Sequence, residues 1–296
     1  MANQELLPEL NNFIIVGLGL IGGSIAKDVR SHYPEATISV VDPDVGQVEK
    51  AIADGNVNRS ISIGDIGKVS CFVIIATPID VVVPVAQEIA LTIEKSEFSP
   101  GDKKWIVMDT ASVKANIVSE FEALTSPRVE FVGTHPMAGT EYTSYAHSKK
   151  NLFKTKPWMV TRHEENTNDV IGVTESFIRK LGGLIREIDA ESHDKTVALV
   201  SHSVIMLSNY IYDFISRSNP AGLEMAGDGF ASTTRLASGN PKMHADILEA
   251  NHAYTQDALE DFLEYLRIKI DEGVIAPEDF FQGNMLNRNK WLHKKR

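Results

Sequence analysis

The pattern of hydrophobic and polar positions changes near residue 189. Before that point, short β-rich apolar runs alternate with amphipathic helical patterns, which is typical of a doubly wound, mainly parallel sheet covered on both faces. Seven runs predict strands, namely FIIVG (13–17), TISVVD (37–42), CFVIIATP (71–78), WIVMD (105–109), VEFVG (129–133), WMVT (158–161) and GLIREID (183–189).

After residue 189 the pattern is helical, and no run predicts a strand. Residues 192–216 and 240–271 each have the spacing of a long helix, and a Gly/Ser/Thr-rich stretch, 227–241, separates them. We therefore predict an α/β domain over 1–189 and an all-helical domain over 190–296.

A glycine-rich loop, GLGLIGGS, follows the first predicted strand directly and opens a helix. Its glycines have the GxGxxG spacing, which allows a tight turn, close approach of a pyrophosphate and close packing of helix on strand. The helix N-terminus adds free N–H donors for phosphate. The loop thus predicts a Rossmann-type dinucleotide site whose contacts come from Gly17, Leu18, Gly19, Leu20, Ile21 and Gly22.

Asp42 ends the second predicted strand, where a carboxylate accepts the ribose hydroxyls of an adenosine and repels a 2′-phosphate. The residues directly after it, Pro43 and Asp44, bring a further negative charge and no arginine. The cofactor predicted is therefore NAD rather than NADP. Thr77 and Pro78, at the end of another strand, are predicted to line the wall beside the cofactor, although a simple strand-ending turn explains both residues as well.

His135 follows the strand 129–133 in the stretch GTHPMAGTEY. Pro136 restricts it to an extended conformation, and the small residues Ala138 and Gly139 leave room for another molecule. An imidazole in this place can accept a proton from a substrate hydroxyl while a hydride leaves the carbon that bears it. The alternative is a histidine that only packs at a strand end.

Three more polar residues are candidates, each with a structural alternative. Ser112 either caps the following helix or directs its hydroxyl into the cleft. His202 lies among apolar neighbours in the first long helix of the second domain, where a satisfied core histidine is common. Arg235 is an exposed arginine or, in its Gly/Ser/Thr-rich surroundings, a fork-shaped cation that suits a carboxylate substrate.

Composition narrows the function further. The chain has 29 basic and 40 acidic residues and a formal net charge of −11, which argues against nucleic acid or an anionic membrane as the partner. It has one cysteine and no apolar run approaching the roughly 18 residues of a membrane span. We expect a cytoplasmic protein with a small-molecule substrate and without a metal site.

Taken together, the motifs resemble the prephenate and arogenate dehydrogenases of tyrosine biosynthesis. The matching segments occur in the family's order, at 17–24, 76–78, 109–114, 135–141, 201–202 and 229–237. The resemblance implies a Rossmann domain, a helical domain that forms a homodimer, and NAD as cofactor. It implies oxidative decarboxylation of prephenate to 4-hydroxyphenylpyruvate or, alternatively, of arogenate to tyrosine.

The resemblance also implies roles for individual residues. His135 matches the catalytic histidine, and Ser112 the serine that orients the substrate hydroxyl; Arg235, His202 and Glu141 match substrate-binding positions. One position departs from the pattern.

Many members read SHLPH where this chain reads SHSVI (201–205), so Ile205 replaces a second histidine near the substrate side chain. Two further readings stay open. One is a β-hydroxyacid or imine-reductase type of dehydrogenase, which would need a catalytic lysine such as Lys195. The other is a non-catalytic NAD-sensing protein that has kept the fold.

Overall fold

The structure is a computed structural model, and it describes residues 11–68, 72–97, 104–139, 143–273 and 277–294. Eight strands form one sheet in the order β3-β2-β1-β4-β5-β6-β7-β8. They are β1 (Asn12–Val16), β2 (Thr37–Val41), β3 (Arg59–Ser60), β4 (Phe72–Ile75), β5 (Trp105–Asp109), β6 (Val129–Pro136), β7 (Pro157–Thr161) and β8 (Leu184–Glu187).

All neighbouring strands are parallel except β6 and β7, which are antiparallel. The chain runs outward from β1 in one direction and then continues from β4 in the other. The carboxyl ends of β1 and β4 therefore flank a topological switch point, which is where open α/β sheets bind their ligands. The predicted fold class is confirmed.

Helices cover both faces of the sheet and bury two apolar cores. On one face Phe13, Phe72 and Phe177 pack together, and on the other Trp105 and Phe121 are fully buried. Burial on both faces explains why the strand sequences read as continuous apolar runs. The helices of this part are α1 (Leu20–His32), α2 (Val45–Ala53), α3 (Ile79–Lys95), α4 (Ala115–Leu124) and α5 (Asn168–Lys180).

From residue 190 onward the described chain is helical. The helices are α6 (Ala190–Val197), α7 (Ser203–Ser218), α8 (Asp228–Thr233), α9 (Pro241–Ala250), α10 (His252–Asp271) and α11 (Glu278–Lys294). A π-helical turn, Ala198–His202, joins α6 to α7. The Gly/Ser/Thr-rich stretch contains α8 and a 3-10 turn, Arg235–Ser238.

The predicted long helix over 240–271 is in fact two helices. Asn251 interrupts it with φ −123° and ψ 33°, and its side chain is buried. The amide donates to the backbone oxygen of Asp194 at 2.9 Å, a contact that a straight helix does not supply. A tertiary hydrogen bond has therefore overridden the helical pattern.

The strand that carries His135 is longer than predicted. Its first part pairs with β5, and residues 133–136 pair antiparallel with β7, so that His135 lies opposite Met159. His135 is thus held within the sheet rather than in a loop after it. The pairing with β7 is long-range, and no local pattern indicates it.

No helix among the described residues is long and apolar enough to cross a membrane. The two parts of the chain touch where α4 packs against α6 and where α3 packs against α9. At the second contact Lys242 of α9 makes an exposed ion pair with Asp80 of α3 at 2.8 Å.

Candidate active site

The glycine loop has the geometry that the sequence predicted. Gly17 has φ +94°, and a Cβ there would lie 2.5 Å from the carbonyl oxygen of Ala76. A Cβ on Gly22 would overlap the carbonyl oxygen of Gly17. Both positions therefore require glycine, because the loop, β4 and α1 approach one another too closely for a side chain.

The loop presents the N-terminus of α1, which begins after Gly19. The N–H of Leu20 donates to the carbonyl oxygen of Thr143 at 2.9 Å. Among the described residues, no group accepts a hydrogen bond from the N–H of Gly19 or of Ile21. These two donors and the positive end of the helix fit a diphosphate.

The carboxylate of Asp42 lies beside this loop. It accepts hydrogen bonds from the N–H of Leu18 at 2.6 Å and from that of Asp44 at 2.8 Å. A carboxylate offers about four acceptor sites, so capacity for ribose hydroxyls remains. The position and chemistry of Asp42 therefore fit the adenosine half of a dinucleotide.

Thr77 and Pro78 lie next to Gly17, at the carboxyl end of β4. The hydroxyl of Thr77 is buried and has no hydrogen-bond partner among the described residues. Pro78 precedes α3 at its N-cap position and is exposed. A buried hydroxyl of this kind at the switch point fits a hydrogen bond to a ligand group.

His135 is the first of three residues that contact one another in series. Its Nδ1 lies 3.0 Å from Nε2 of His193, and Nδ1 of His193 lies 2.7 Å from Oδ1 of Asp194. The two rings meet edge to face, with centroids 5.2 Å apart. His193 and Asp194 are almost fully buried, whereas His135 is partly exposed.

Asp194 also holds the start of α4. Its two carboxylate oxygens accept hydrogen bonds from the N–H of Lys114 at 2.7 Å and from that of Ala115 at 2.8 Å. The Lys114 ammonium is itself fully buried and forms an ion pair with Asp109 at the end of β5. These contacts join the helical domain, α4 and β5 into one rigid support.

Burial lowers the pKa of His135 well below its usual range, and the positive charge of the nearby Lys114 ammonium lowers it further. The imidazole of His135 is therefore neutral near pH 7, which a proton acceptor requires. Burial also lowers the pKa of His202 to about 4, against the opposing effect of Asp194.

His202 lies at the end of the π-helical turn and is buried. The Asn251 amide nitrogen donates to the backbone oxygen of Asp194 and lies 3.0 Å from Nδ1 of His202. The bond to a carbonyl fixes the amide orientation, so Nδ1 of His202 accepts and Nε2 carries the hydrogen. π-Helical turns are frequent at functional sites.

Of the other predicted residues, two are described by the structure and one is not. Ser112 lies, partly exposed, between β5 and α4; it is not the N-cap, because α4 begins after Lys114. Arg235 is exposed on a 3-10 turn that packs against α7, and it is not buried with His135. Glu141 lies outside the described residues.

The buried partners of His135 were not among the residues predicted from the sequence. His193 and Asp194 are adjacent in ESHDK (191–195), and Asn251 is separated from His202 by 49 positions. A histidine followed by an aspartate at the start of a helix is the one local signal that points to them. It is too common to be informative without the contact to His135.

The fold and the site together define a dehydrogenase of the Rossmann type. The chain has a dinucleotide loop at a switch point, a neutral histidine on the same sheet and a helical second part. Residues 25–187 match the family domain described as prephenate dehydrogenase, nucleotide-binding domain. Residues 189–272 match the one described as prephenate dehydrogenase, dimerization domain. The chain belongs to the prephenate dehydrogenase family, as its motifs predicted.

Known relatives agree with this assignment. The chain is 27% identical to the prephenate dehydrogenase of Bacillus subtilis, over 86% of its own length and 67% of that protein. The Aquifex aeolicus prephenate dehydrogenase, solved with hydroxyphenyl propionate and NAD+, is 26% identical with a TM-score of 0.81, covering 96% of this chain and 98% of that one. The Synechocystis arogenate dehydrogenase is 25% identical with a TM-score of 0.78, covering 95% and 99%.

Proposed function

We propose that this chain catalyses the NAD-dependent oxidative decarboxylation of prephenate to 4-hydroxyphenylpyruvate in tyrosine biosynthesis. The observation that carries the proposal is a neutral, partly exposed His135 held on the sheet that also carries the dinucleotide loop. Membership of the prephenate dehydrogenase family supports it. The Bacillus subtilis and Aquifex aeolicus relatives are both prephenate dehydrogenases.

Several backbone and side-chain groups would hold the cofactor. The N–H groups of Gly19 and Ile21 would bind the diphosphate, and Asp42 would accept the adenosine ribose hydroxyls. Bound NAD+ supplies the hydride acceptor. Thr77 and Pro78 would close the wall beside it, with the Thr77 hydroxyl gaining the partner that it lacks.

His135 performs the proton transfer. It takes the proton of the ring hydroxyl while a hydride leaves the carbon that bears this hydroxyl. The ring carboxylate then departs as CO2, its electron pair enters the ring, and the oxygen regains a proton to become a phenol. His135 therefore ends each turnover neutral.

The substrate contacts rest on the family resemblance and on chemistry. Ser112 would orient the ring hydroxyl, Arg235 would bind a substrate carboxylate, and Glu141 would lie at the mouth of the pocket. His202 offers an N–H at Nε2, because Asn251 occupies its other ring nitrogen. A neutral imidazole that donates a hydrogen bond suits a carboxylate or keto oxygen.

Arogenate is the second candidate substrate, and one observation favours it: one solved relative is an arogenate dehydrogenase. Ile205 bears on the choice without favouring either substrate, because it is buried on α7, where many family members have a histidine. The lost polar contact concerns the substrate side chain, which is a keto acid in prephenate and an amino acid in arogenate.

The experiment that tests the function measures NADH formation by the purified protein. Each of prephenate and arogenate is supplied with each of NAD+ and NADP+. Turnover with prephenate and NAD+ is expected, and faster turnover with arogenate would select the second candidate. No turnover with either substrate would refute the assignment.

The lysine-dependent alternative finds no support at Lys195. This side chain is exposed and forms an ion pair with Glu191 at 2.6 Å. The hydrogen bond from Lys195 to Glu191 raises the pKa of the lysine. A catalytic lysine needs the opposite, a dry or cationic setting that lowers its pKa. The non-catalytic reading does not explain why His135 is held neutral on the sheet that carries the dinucleotide loop.

We also propose that the protein is a homodimer formed through its helical part, and that the division between the two domains lies near residue 189. The matched dimerization domain supports the first statement. Large apolar side chains on three helices of the helical part, α7, α10 and α11, are exposed in the single chain, namely Tyr210, Ile211, Phe214, Leu263, Leu266, Ile270, Phe281 and Met285. Large apolar side chains exposed in this number favour association.

A further inference from the structure

We propose that His193 is a positioning residue that, oriented by Asp194, holds His135 in the tautomer with hydrogen on Nδ1 and a free lone pair on Nε2. The inference rests on the proposed function for its catalytic meaning. Its structural content stands on the contacts among these three buried or partly buried side chains.

Asp194 sets the direction of hydrogen bonding in the series. Its Oδ1 accepts the N–H of Lys114 at 2.7 Å, and its Oδ2 accepts the N–H of Ala115 at 2.8 Å. An oxygen that receives a backbone N–H in a buried site acts as an acceptor. His193 must therefore donate from Nδ1 across the 2.7 Å contact to Oδ1.

That donation determines the other ring nitrogen of a neutral His193. With hydrogen on Nδ1, its Nε2 carries a lone pair and accepts. The group 3.0 Å away is Nδ1 of His135, which must then donate. His135 is left with its lone pair on Nε2, the nitrogen that bonds to no described residue.

This tautomer is the one that the reaction needs. A base must offer a lone pair to the ring hydroxyl, and the opposite tautomer would present an N–H instead. When His135 takes the proton, Nδ1–H still donates to His193, and the carboxylate of Asp194 lies one ring further on. A histidine oriented in this way by a carboxylate is a recurring arrangement in general-base catalysis.

The first test reads the tautomer directly in the wild-type protein. The sample carries 15N-labelled histidine and is recorded by long-range 1H–15N correlation, with His135 assigned from the signals lost in His135→Asn. The Nδ1–H form of His135 is expected. The Nε2–H form would overturn the proposal, whatever the activity of the enzyme.

The second test compares two substitutions of similar size. In His193→Gln the amide reaches the position of Nε2, so that its oxygen can accept from His135, whereas His193→Leu removes the acceptor. For the leucine variant we expect kcat to fall about 10- to 100-fold, part of the ~10²–10⁴-fold that a positioned base contributes. The KM for NAD+ stays unchanged, and His193→Gln recovers most of the loss.

The matched control is His163→Gln, which alters another buried histidine. His163 bonds to the backbone oxygen of Phe131 at 2.9 Å, at the other end of β6. It is expected to leave kcat unchanged. A leucine variant within about twofold of wild type, or equal losses in the glutamine and leucine variants, would overturn the role of His193. Absence of turnover in the wild type refutes the proposed function alone, because the tautomer test still stands.

Discussion

His135 combines three conditions that are seldom met together in one side chain. It is partly exposed, burial and neighbouring charges keep it neutral, and a buried histidine occupies one of its nitrogens. Ordinary packing of a histidine at a strand end does not require the third condition. The chemistry of this protein therefore depends on one side chain, His135, and on its immediate contacts.

Replacing His135 tests this directly. His135→Asn removes the nitrogen that accepts the proton and keeps a polar group near His193. We expect kcat to fall about 10²–10⁴-fold, while NAD+ binding measured by fluorescence or calorimetry is retained. His163→Asn serves as the control. A rate equal to that of the wild type would remove His135 from the mechanism.

Asp42 governs the choice of cofactor. Asp42→Ala removes the acceptor for the ribose hydroxyls and the charge that repels a 2′-phosphate. The ratio of kcat/KM for NAD+ to that for NADP+ should fall, through weaker use of NAD+ and a gain with NADP+. Asp54→Ala, at the C-terminal end of α2, is the control. An unchanged ratio would contradict the role of Asp42.

The pH dependence follows from the lowered pKa of His135. Because the neutral form is favoured, kcat/KM should stay level as pH falls through 6.5, the ordinary value for histidine. It should drop only at lower pH, as the ring takes a proton. The free energy of unfolding should also decrease below about pH 6.5. There His135 binds a proton in the unfolded chain, whereas its lowered pKa keeps it unprotonated in the folded chain. An apparent pKa of 6.5 or higher in the acid limb of the kcat/KM profile would contradict this prediction.

At the scale of elements, the start of α1 depends on close packing. Gly22→Ala places a methyl group against the carbonyl oxygen of Gly17, so it should lower both the free energy of unfolding and the affinity for NAD+. Gly172→Ala in α5 is the matched control. Apart from its chain neighbours and its own helix backbone, no atom of the described residues lies within 4 Å of the added Cβ, and a helical alanine should stabilise by up to about 1 kcal/mol. Chemical denaturation and NAD+ titration measure both effects.

Elements also show where local pattern loses to tertiary contact. The strand pattern over 129–133 is correct, but β6 continues to Pro136 because β7 pairs with it. The helical pattern over 240–271 is correct, but Asn251 leaves the helix to bond with Asp194. In each case the pattern predicts the type of element, and a distant partner determines where it begins or ends.

At the scale of the whole molecule, the exposed apolar side chains of the helical part predict association. Sedimentation should give the mass of a dimer for the wild type. Phe214→Asp puts a charge on α7 where the side chain is 66% exposed, and it should weaken the dimer by at least tenfold in dissociation constant, or about 1.4 kcal/mol. Leu91→Asp, on α3 of the α/β domain and 58% exposed, is the control. A monomeric wild type would contradict the dimer.

The sequence was enough to predict the doubly wound sheet, the glycine loop at its switch point and the family. These features are encoded locally, in the period of apolar residues, in glycine spacing and in short motifs, and each can be identified within about 20 residues. The same local coding identified Ser112 as a polar residue between a strand and a helix. The predicted role of Ser112 as the helix cap was wrong, because α4 begins after Lys114.

Only the tertiary structure determines which buried side chain contacts His135. His193 lies 58 positions further along the chain, and its contact with His135 exists because α6 packs against α4, which packs against the strand that carries His135. The Asp194 cap on α4 and the Asn251 bond to His202 have the same origin. A hydrogen bond between distant residues depends on how whole elements pack, and no spacing along the chain records that packing.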